Sequence, residues 1–271
     1  MEALTKLMDE AHAVDVLYLD FAKAFDKVPH KRLLEKCRGL GLGGRVLEWI
    51  RVWLEDRKQR VVLNGEASEW AGVLSGVPQG SVLGPTLFLI FINDIDMAVD
   101  VTNSILLKFA DDTKVARVVE SQEHQAELQM TIDRLVEWSR EWQMLFNSEK
   151  CHIMHLGANN NNFEYTMGGR VLETVEFEKD VGVIVHRSLK PTMQCAQAAN
   201  RANAILGQLS RAVSYRDKDT FMRLYKVYVW PHLEYAVVSW SPWTAQDKES
   251  PEERCGHGVQ HQGEDIRGKA V

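Results

Sequence analysis

With 271 residues, 45% of them hydrophobic, the chain can bury a sizeable core as one large domain or as one domain plus a smaller one. Its net charge of −6 argues against a protein that coats nucleic acid with positive charge. Cys37, Cys151, Cys195 and Cys255 show neither paired nor finger spacing, which excludes a disulfide scaffold and a zinc finger and reads as reduced thiols of an intracellular protein.

Taken in chain order, Met1 to Ala13 reads as a short amphipathic helix feeding a buried strand, Val14 to Leu19. Pro29 breaks the chain before a helix around Lys31 to Cys37, which the Gly39 to Gly44 run ends. Arg45 to Asp56 repeats Val46, Trp49, Ile50, Trp53 and Leu54 at a helical period. Arg60 to Leu63 and Glu69 to Leu74 flank Asn64-Gly65, a hairpin signal. Gly76 to Gly84 is a Gly/Pro loop, and Pro85 starts an apolar helix through about Val99. Within it, Thr86 to Val99 is too short to span a membrane and is interrupted by Asn93, Asp94 and Asp96. No secretory signal opens the chain, so a soluble, non-secreted protein without a membrane partner is expected.

Ser104 to Ala110 and Lys114 to Val119 read as strands that place Asp111-Asp112 at the tip of a tight hairpin. Gln122 to Phe146 is a long amphipathic helix with Leu128, Ile132, Leu135, Trp138 and Trp142 on one face. Short strands follow at Ile153 to Leu156 and Asp180 to Val185, with a Gly168-Gly169 turn between them. Helices are expected over Met193 to Val213 and Asp219 to Val229. The Gly/His-rich tail, 246–271, lacks an apolar period and reads as disordered. Strands, hairpins and helices intermix, so the class is α+β, an antiparallel sheet flanked by helices.

Charge is uneven. Lys27 to Arg60 holds ten Lys/Arg against four Asp/Glu, which fits either a nucleic-acid flank or a solvated helix face. Asp20 ends the apolar run Val16-Leu17-Tyr18-Leu19, and Asp111-Asp112 follow a second one at Ile105-Leu106-Leu107. Acidic groups at the ends of two buried strands are costly unless a cation neutralises them. Three that converge are what a pair of divalent ions needs for phosphoryl transfer. An Asp-Asp pair alone reads more often as a solvated turn, and only the independent strand ending in Asp20 brings the metal reading level with it; Asp26, Asp94 and Asp96 read as caps or surface.

The ordered segments Tyr18-Leu19-Asp20-Phe21-Ala22-Lys23-Ala24-Phe25-Asp26, Gly76-Val77-Pro78-Gln79-Gly80-Ser81 and Phe109-Ala110-Asp111-Asp112 resemble the palm motifs of reverse transcriptases from non-LTR, LINE-type, jockey-like retrotransposons. The similarity continues through Asn147, Lys150-Cys151, Lys179-Asp180-Val181-Gly182 and Pro231-His232-Leu233-Glu234-Tyr235. It implies a right-hand polymerase palm over 1–188, a partial helical thumb over 189–245, and RNA-directed DNA polymerase activity. The partners implied are an RNA template, a DNA primer and deoxynucleoside triphosphates. Two Mg²⁺ ions are the implied cofactors, with Mn²⁺ as the alternative ion.

By the same resemblance Asp20, Asp111 and Asp112 are metal ligands, and Lys150 serves the triphosphate. Phe25 is the gate against a 2′-hydroxyl, while Phe21, Gln79 and Gly80 lie near the incoming nucleotide. A nuclear or cytoplasmic location follows from such enzymes. Only thirteen residues precede Val14, fewer than the fingers region of these enzymes requires. A second expectation is therefore a catalytically inactive, truncated relic, at most a nucleic-acid-binding module.

Overall fold

The computed structural model describes residues 2–99, 102–213 and 217–241, and the tail expected to be disordered lies outside them. One compact unit is Lys6–Val175, and a second takes up the chain from Glu176. That division comes before the boundary at 188 expected from the sequence. The hairpin after Glu176 packs on the helix that follows it, with Val183 against Cys195 and Ala198.

After helix α1 (Glu2–Asp9), the first unit is organised around β1 (Val14–Leu19), whose six residues are all buried. Such a continuous apolar run suits a central strand covered on both faces. Helices α2 (Ala24–Lys27), α3 (His30–Gly39) and α4 (Gly44–Leu54) follow. Two small ladders come next, β2 (Lys58–Gln59) with β5 (Ala71–Gly72), and β3 (Val62–Leu63) with β4 (Glu66–Ala67) around Asn64-Gly65. The apolar helix α5 (Leu83–Ile92) continues as a 3₁₀ turn over Asn93–Ala98.

Strands β6 (Ser104–Phe109) and β7 (Asp112–Val118) form a hairpin, and α6 (Gln122–Glu141) starts where the Ser121 side chain accepts from the His124 amide. The expected apolar stripe of α6 is buried at Leu128, Ile132, Leu135 and Trp138. The helix stops short of Phe146 because Gln143 turns left-handed, at φ 56°, and the Met144 amide closes back onto Ser139. Strands β8 (His152–Leu156), β9 (Thr166–Met167), β10 (Arg170–Val171) and β11 (Glu173–Thr174) complete the unit. The main sheet has the order β11-β8-β1-β7-β6, antiparallel except for the β11–β8 edge. One core joins the sheet's Leu17, Leu19, Val115 and Ile153 to α3, α5 and α6.

Two buried polar clusters interrupt this core. Lys36 of α3 donates to the Phe91 carbonyl and to Asp94, each at 2.5 Å, and its ammonium lies 3.8 Å from the Trp142 ring centroid. Burial lowers its pKa, opposed by the bond to Asp94. The Trp138 indole also donates to Asp94, so that carboxylate is a core partner and not the cap or surface group expected from its sequence. Under β1, Asp15 accepts from His155 at 2.6 Å, from Tyr165 at 2.6 Å and from Asn160 at 2.8 Å.

In the second unit, β12 (Phe177–Asp180) and β13 (Val183–His186) pair around Val181-Gly182. The expected strand Asp180 to Val185 therefore takes in the end of β12, the turn and most of β13. Long helix α7 (Thr192–Ala212), then α8 (Lys218–Leu224), α9 (Trp230–Glu234) and α10 (Val237–Trp240) follow, with a wider π turn over Tyr225–Val229. The Tyr235 hydroxyl donates to the Val181 carbonyl and ties the hairpin to these helices. Among the described residues, no helix is long and apolar enough to cross a membrane.

Candidate active site

Asp20 is the first residue past β1, and a returning segment clamps its backbone from both sides. The Asn147 amide donates to the Asp20 carbonyl at 2.8 Å, and the Asp20 amide donates to Cys151 Sγ at 3.4 Å. One residue on, Phe21 bridges to Phe146, and the Ala22 amide donates to the Leu145 carbonyl. Phe21 is only 4% exposed, stacked on Phe146 at 4.6 Å between ring centroids. Its ring is therefore packed as a core anchor against Phe146 and Trp138. Burial pushes the Cys151 thiol up to about 11, so it acts as a packed, protonated group beneath Asp20.

The second carboxylate pair stands on the β6–β7 hairpin. Phe109 pairs with Asp112, so the tip is Ala110-Asp111 with Ala110 left-handed at φ 54°, and Asp112 opens β7 rather than sharing the tip. Leu19 pairs with Thr113 across β1 and β7, and both side chains are buried. Side chains alternate along strands, so the next pair in that register, Asp20 and Asp112, turns to the opposite face at the same sheet end. Lys150 Nζ reaches to 3.7 Å from Asp20 Oδ2, and its side chain is 68% exposed.

Phe25 and the Gly/Pro loop form a second assembly. The Val77 amide donates to the Phe25 carbonyl, the Gly76 amide to Val28, the Ser75 hydroxyl to Asp26, and His30 Nε2 bonds the Gly76 carbonyl. Gly76 is required there: its φ is +91°, and a Cβ would lie 2.8 Å from the Asp26 backbone. Phe25 itself stacks on Phe88, with centroids 4.5 Å apart, and is partly buried. Gln79 and Gly80 are exposed beyond this latch, and a Cβ at Gly80 would meet open space. The structure therefore brings Lys150 to Asp20, sets Asp112 at the start of the neighbouring strand with Asp111 on the adjoining tip, and separately fastens Phe25 to the loop carrying Gln79. The latch residues Ser75 and His30, and Asn147 and Cys151 as clamps on Asp20, carry no local motif chemistry, since their partners lie 46 to 131 positions away.

The donor set fits a hard divalent cation: carboxylate oxygens from two adjacent strands, one already facing an ammonium. Among the described residues, no three His, Cys, Asp or Glu side chains are gathered tightly enough to hold a metal as they stand.

Comparison with known proteins agrees with the motif order. The chain is 31% identical over 233 residues to an RNA-directed DNA polymerase from the mobile element jockey of Drosophila funebris, covering 81% of this chain and 25% of that protein. It is 28% identical over 257 residues to a probable RNA-directed DNA polymerase from transposon X-element of Drosophila melanogaster, covering 89% of this chain and 27% of the relative. The chain thus spans about a quarter of the curated relatives it matches. Among solved structures, a telomerase from Candida tropicalis in complex with a fragment of telomeric RNA matches all of this chain and 43% of its own. That match has a TM-score of 0.56 at 12% identity and is a likeness of fold. A signature of the reverse transcriptase (RNA-dependent DNA polymerase) matches residues 2–192, across both carboxylate-bearing strand ends, and the chain belongs to that family.

Proposed function

We propose that this chain is the palm, with part of a thumb, of an RNA-directed DNA polymerase that adds deoxynucleotides to a DNA 3′-hydroxyl on an RNA template. The observation that carries this reading is the register at the sheet end, which closes with Leu19 opposite Thr113, directly before Asp20 and directly after Asp112, with Lys150 beside Asp20. Asp20, Asp111 and Asp112 would hold two Mg²⁺ ions. Those ions would supply Lewis-acid activation of the hydroxyl and neutralise charge on the phosphates.

The chain's own residues would do the rest. Buried β1 and its clamps hold Asp20 still, which keeps the reacting groups in line. Lys150, exposed and flexible, can leave Asp20 and protonate the departing pyrophosphate. The flat face of Phe25 is backed by Phe88 and would stand against a ribose 2′-hydroxyl. The amide of Gln79 both donates and accepts, which suits a nucleotide or template contact.

Primer extension by the full chain on an RNA–DNA primer-template with Mg²⁺ tests the reading. Extension is expected to be slow and to fall at least about 10²-fold in Asp20→Asn and Asp111→Asn, a barrier rise of roughly 3 kcal/mol. Mn²⁺ binding followed by electron paramagnetic resonance should weaken in the same variants. Extension that persists in both variants, or no Mg²⁺-dependent extension at all, overturns it.

A further inference from the structure

The two edges of the main sheet are unequal. At one, β11 pairs only Glu173 and Thr174 with β8. At the other, β6 runs through Ser104–Phe109 and is bonded along one side only, to β7. Its two-residue tip makes Phe109 and Asp112 a pair that exchanges both backbone bonds. By alternation Leu107 with Lys114 and Ile105 with Ala116 do the same. Ser104, Leu106 and Lys108 therefore aim their N–H and C=O groups away from β7. Among the described residues, no backbone bond reaches those groups from elsewhere in the chain. Edge strands are normally blunted by a proline, a bulge or an outward charge. β6 has no proline and an unbroken register, and its one charge is withdrawn. Lys108 Nζ donates to Asp96 and, at 3.1 Å, to the Asn93 carbonyl. Ile105 and Leu107 share one face of the strand, the first half-buried and the second 41% exposed.

We propose that this edge pairs with a second copy of the chain, β6 running antiparallel to β6 about a two-fold axis at Leu106. That register engages all three outward residues. Leu106 meets Leu106 of the second copy, and Ser104 meets Lys108 of the second copy, each pair exchanging two bonds. Ile105 then lies opposite Leu107 of the second copy, an apolar pair that symmetry repeats. An axis at Lys108 instead sets two ammonium groups opposite each other and leaves Ser104 unpaired. A two-fold contact needs a surface complementary to itself, and β6 centred on Leu106 is its own complement, which selects a second copy over an unrelated strand. The pairing closes at two, because the edge left on each copy is the short β11. The two Ala110-Asp111 tips point apart, about 30 Å from each other, so neither covers the other.

Sedimentation velocity of the full chain over a concentration series tests this, with hydrogen exchange resolved to single amides. A monomer–dimer equilibrium is expected. Protection at the Ser104, Leu106 and Lys108 amides should rise with concentration, while Ile105 and Leu107, already bonded to β7, should not change. Ile105→Glu and Leu107→Lys should each weaken the dimer about tenfold, since symmetry counts every change twice. The double variant Ile105→Glu/Leu107→Lys sets opposite charges across the join and should recover most of that loss. A chain that stays monomeric overturns the proposal, as does a dimer whose outward β6 amides exchange as fast as in the monomer. A double variant no tighter than the single ones, or growth beyond the dimer, also overturns it. The exchange measurement on the unaltered chain decides the matter even where a variant folds poorly. Neither metal nor nucleic acid enters the measurement, so its outcome is separate from that of primer extension.

Discussion

The two compact units are built from the same materials, antiparallel strands against helices, but bury them differently. In the first, β1 is buried along its whole length and lies between β7 and β8, over a core that reaches α3, α5 and α6. In the second, β12 alternates between exposed and half-buried residues, and small buried groups form around Val183 and around Val229. Asp20 directly follows the former kind of strand. Strands with few buried apolar contacts open locally at lower cost.

The contrast breaks most sharply at large core side chains. Phe88→Ala, in a fully buried position under Phe25, should cost about 3–5 kcal/mol. Val229→Ala in the second unit should cost about 1.5 kcal/mol. Denaturant titration with hydrogen exchange read separately on β1 and α7 amides measures both, and equal losses would erase the distinction. Next in size is the polar rung beneath β1. Asp15→Leu leaves the Tyr165 hydroxyl and His155 Nδ1 without their carboxylate partner, a loss of about 3 kcal/mol. Adding Tyr165→Phe should recover part of that loss, and no recovery would mean that the rung acts through packing alone.

The smallest expected effect is a pH dependence under Asp20. Cys151 has its thiol raised from 9.0 to about 11, mainly by burial. In the folded chain it keeps its proton where the unfolded chain has lost it, so stability falls as pH rises between about 9 and about 11. The slope is roughly 1.4 kcal/mol per pH unit at most. Cys151→Ala should remove that slope. A slope of the same size in the variant would place its origin elsewhere.

Much of the first unit was legible because its signals are local. The apolar run of β1, the stripe on α6 and the Asn64-Gly65 turn each need only neighbouring residues to be read. The second unit's hairpin was misplaced because Phe177 to His186 mixes apolar and charged residues without a clean period, and its turn at Val181-Gly182 lay inside the strand read from the sequence. Lys36 gave no warning of burial either. It sits in a basic stretch that fits a solvated face, while the three rings and the carboxylate that receive it come from other parts of the chain.

At the site the same split holds, for the same reason. Residue type and order by themselves singled out the carboxylates proposed as divalent-ion ligands and the family they resemble, because that chemistry is carried by the side chains themselves. Tertiary structure alone decided that Phe21 is an anchor and that Asp112 rather than Asp111 continues the register with Asp20. It alone decided too that Asn147 and Cys151 clamp Asp20 from more than a hundred positions away. Those outcomes depend on strand register and on backbone hydrogen bonds between distant segments, and neither leaves a periodic trace in the chain.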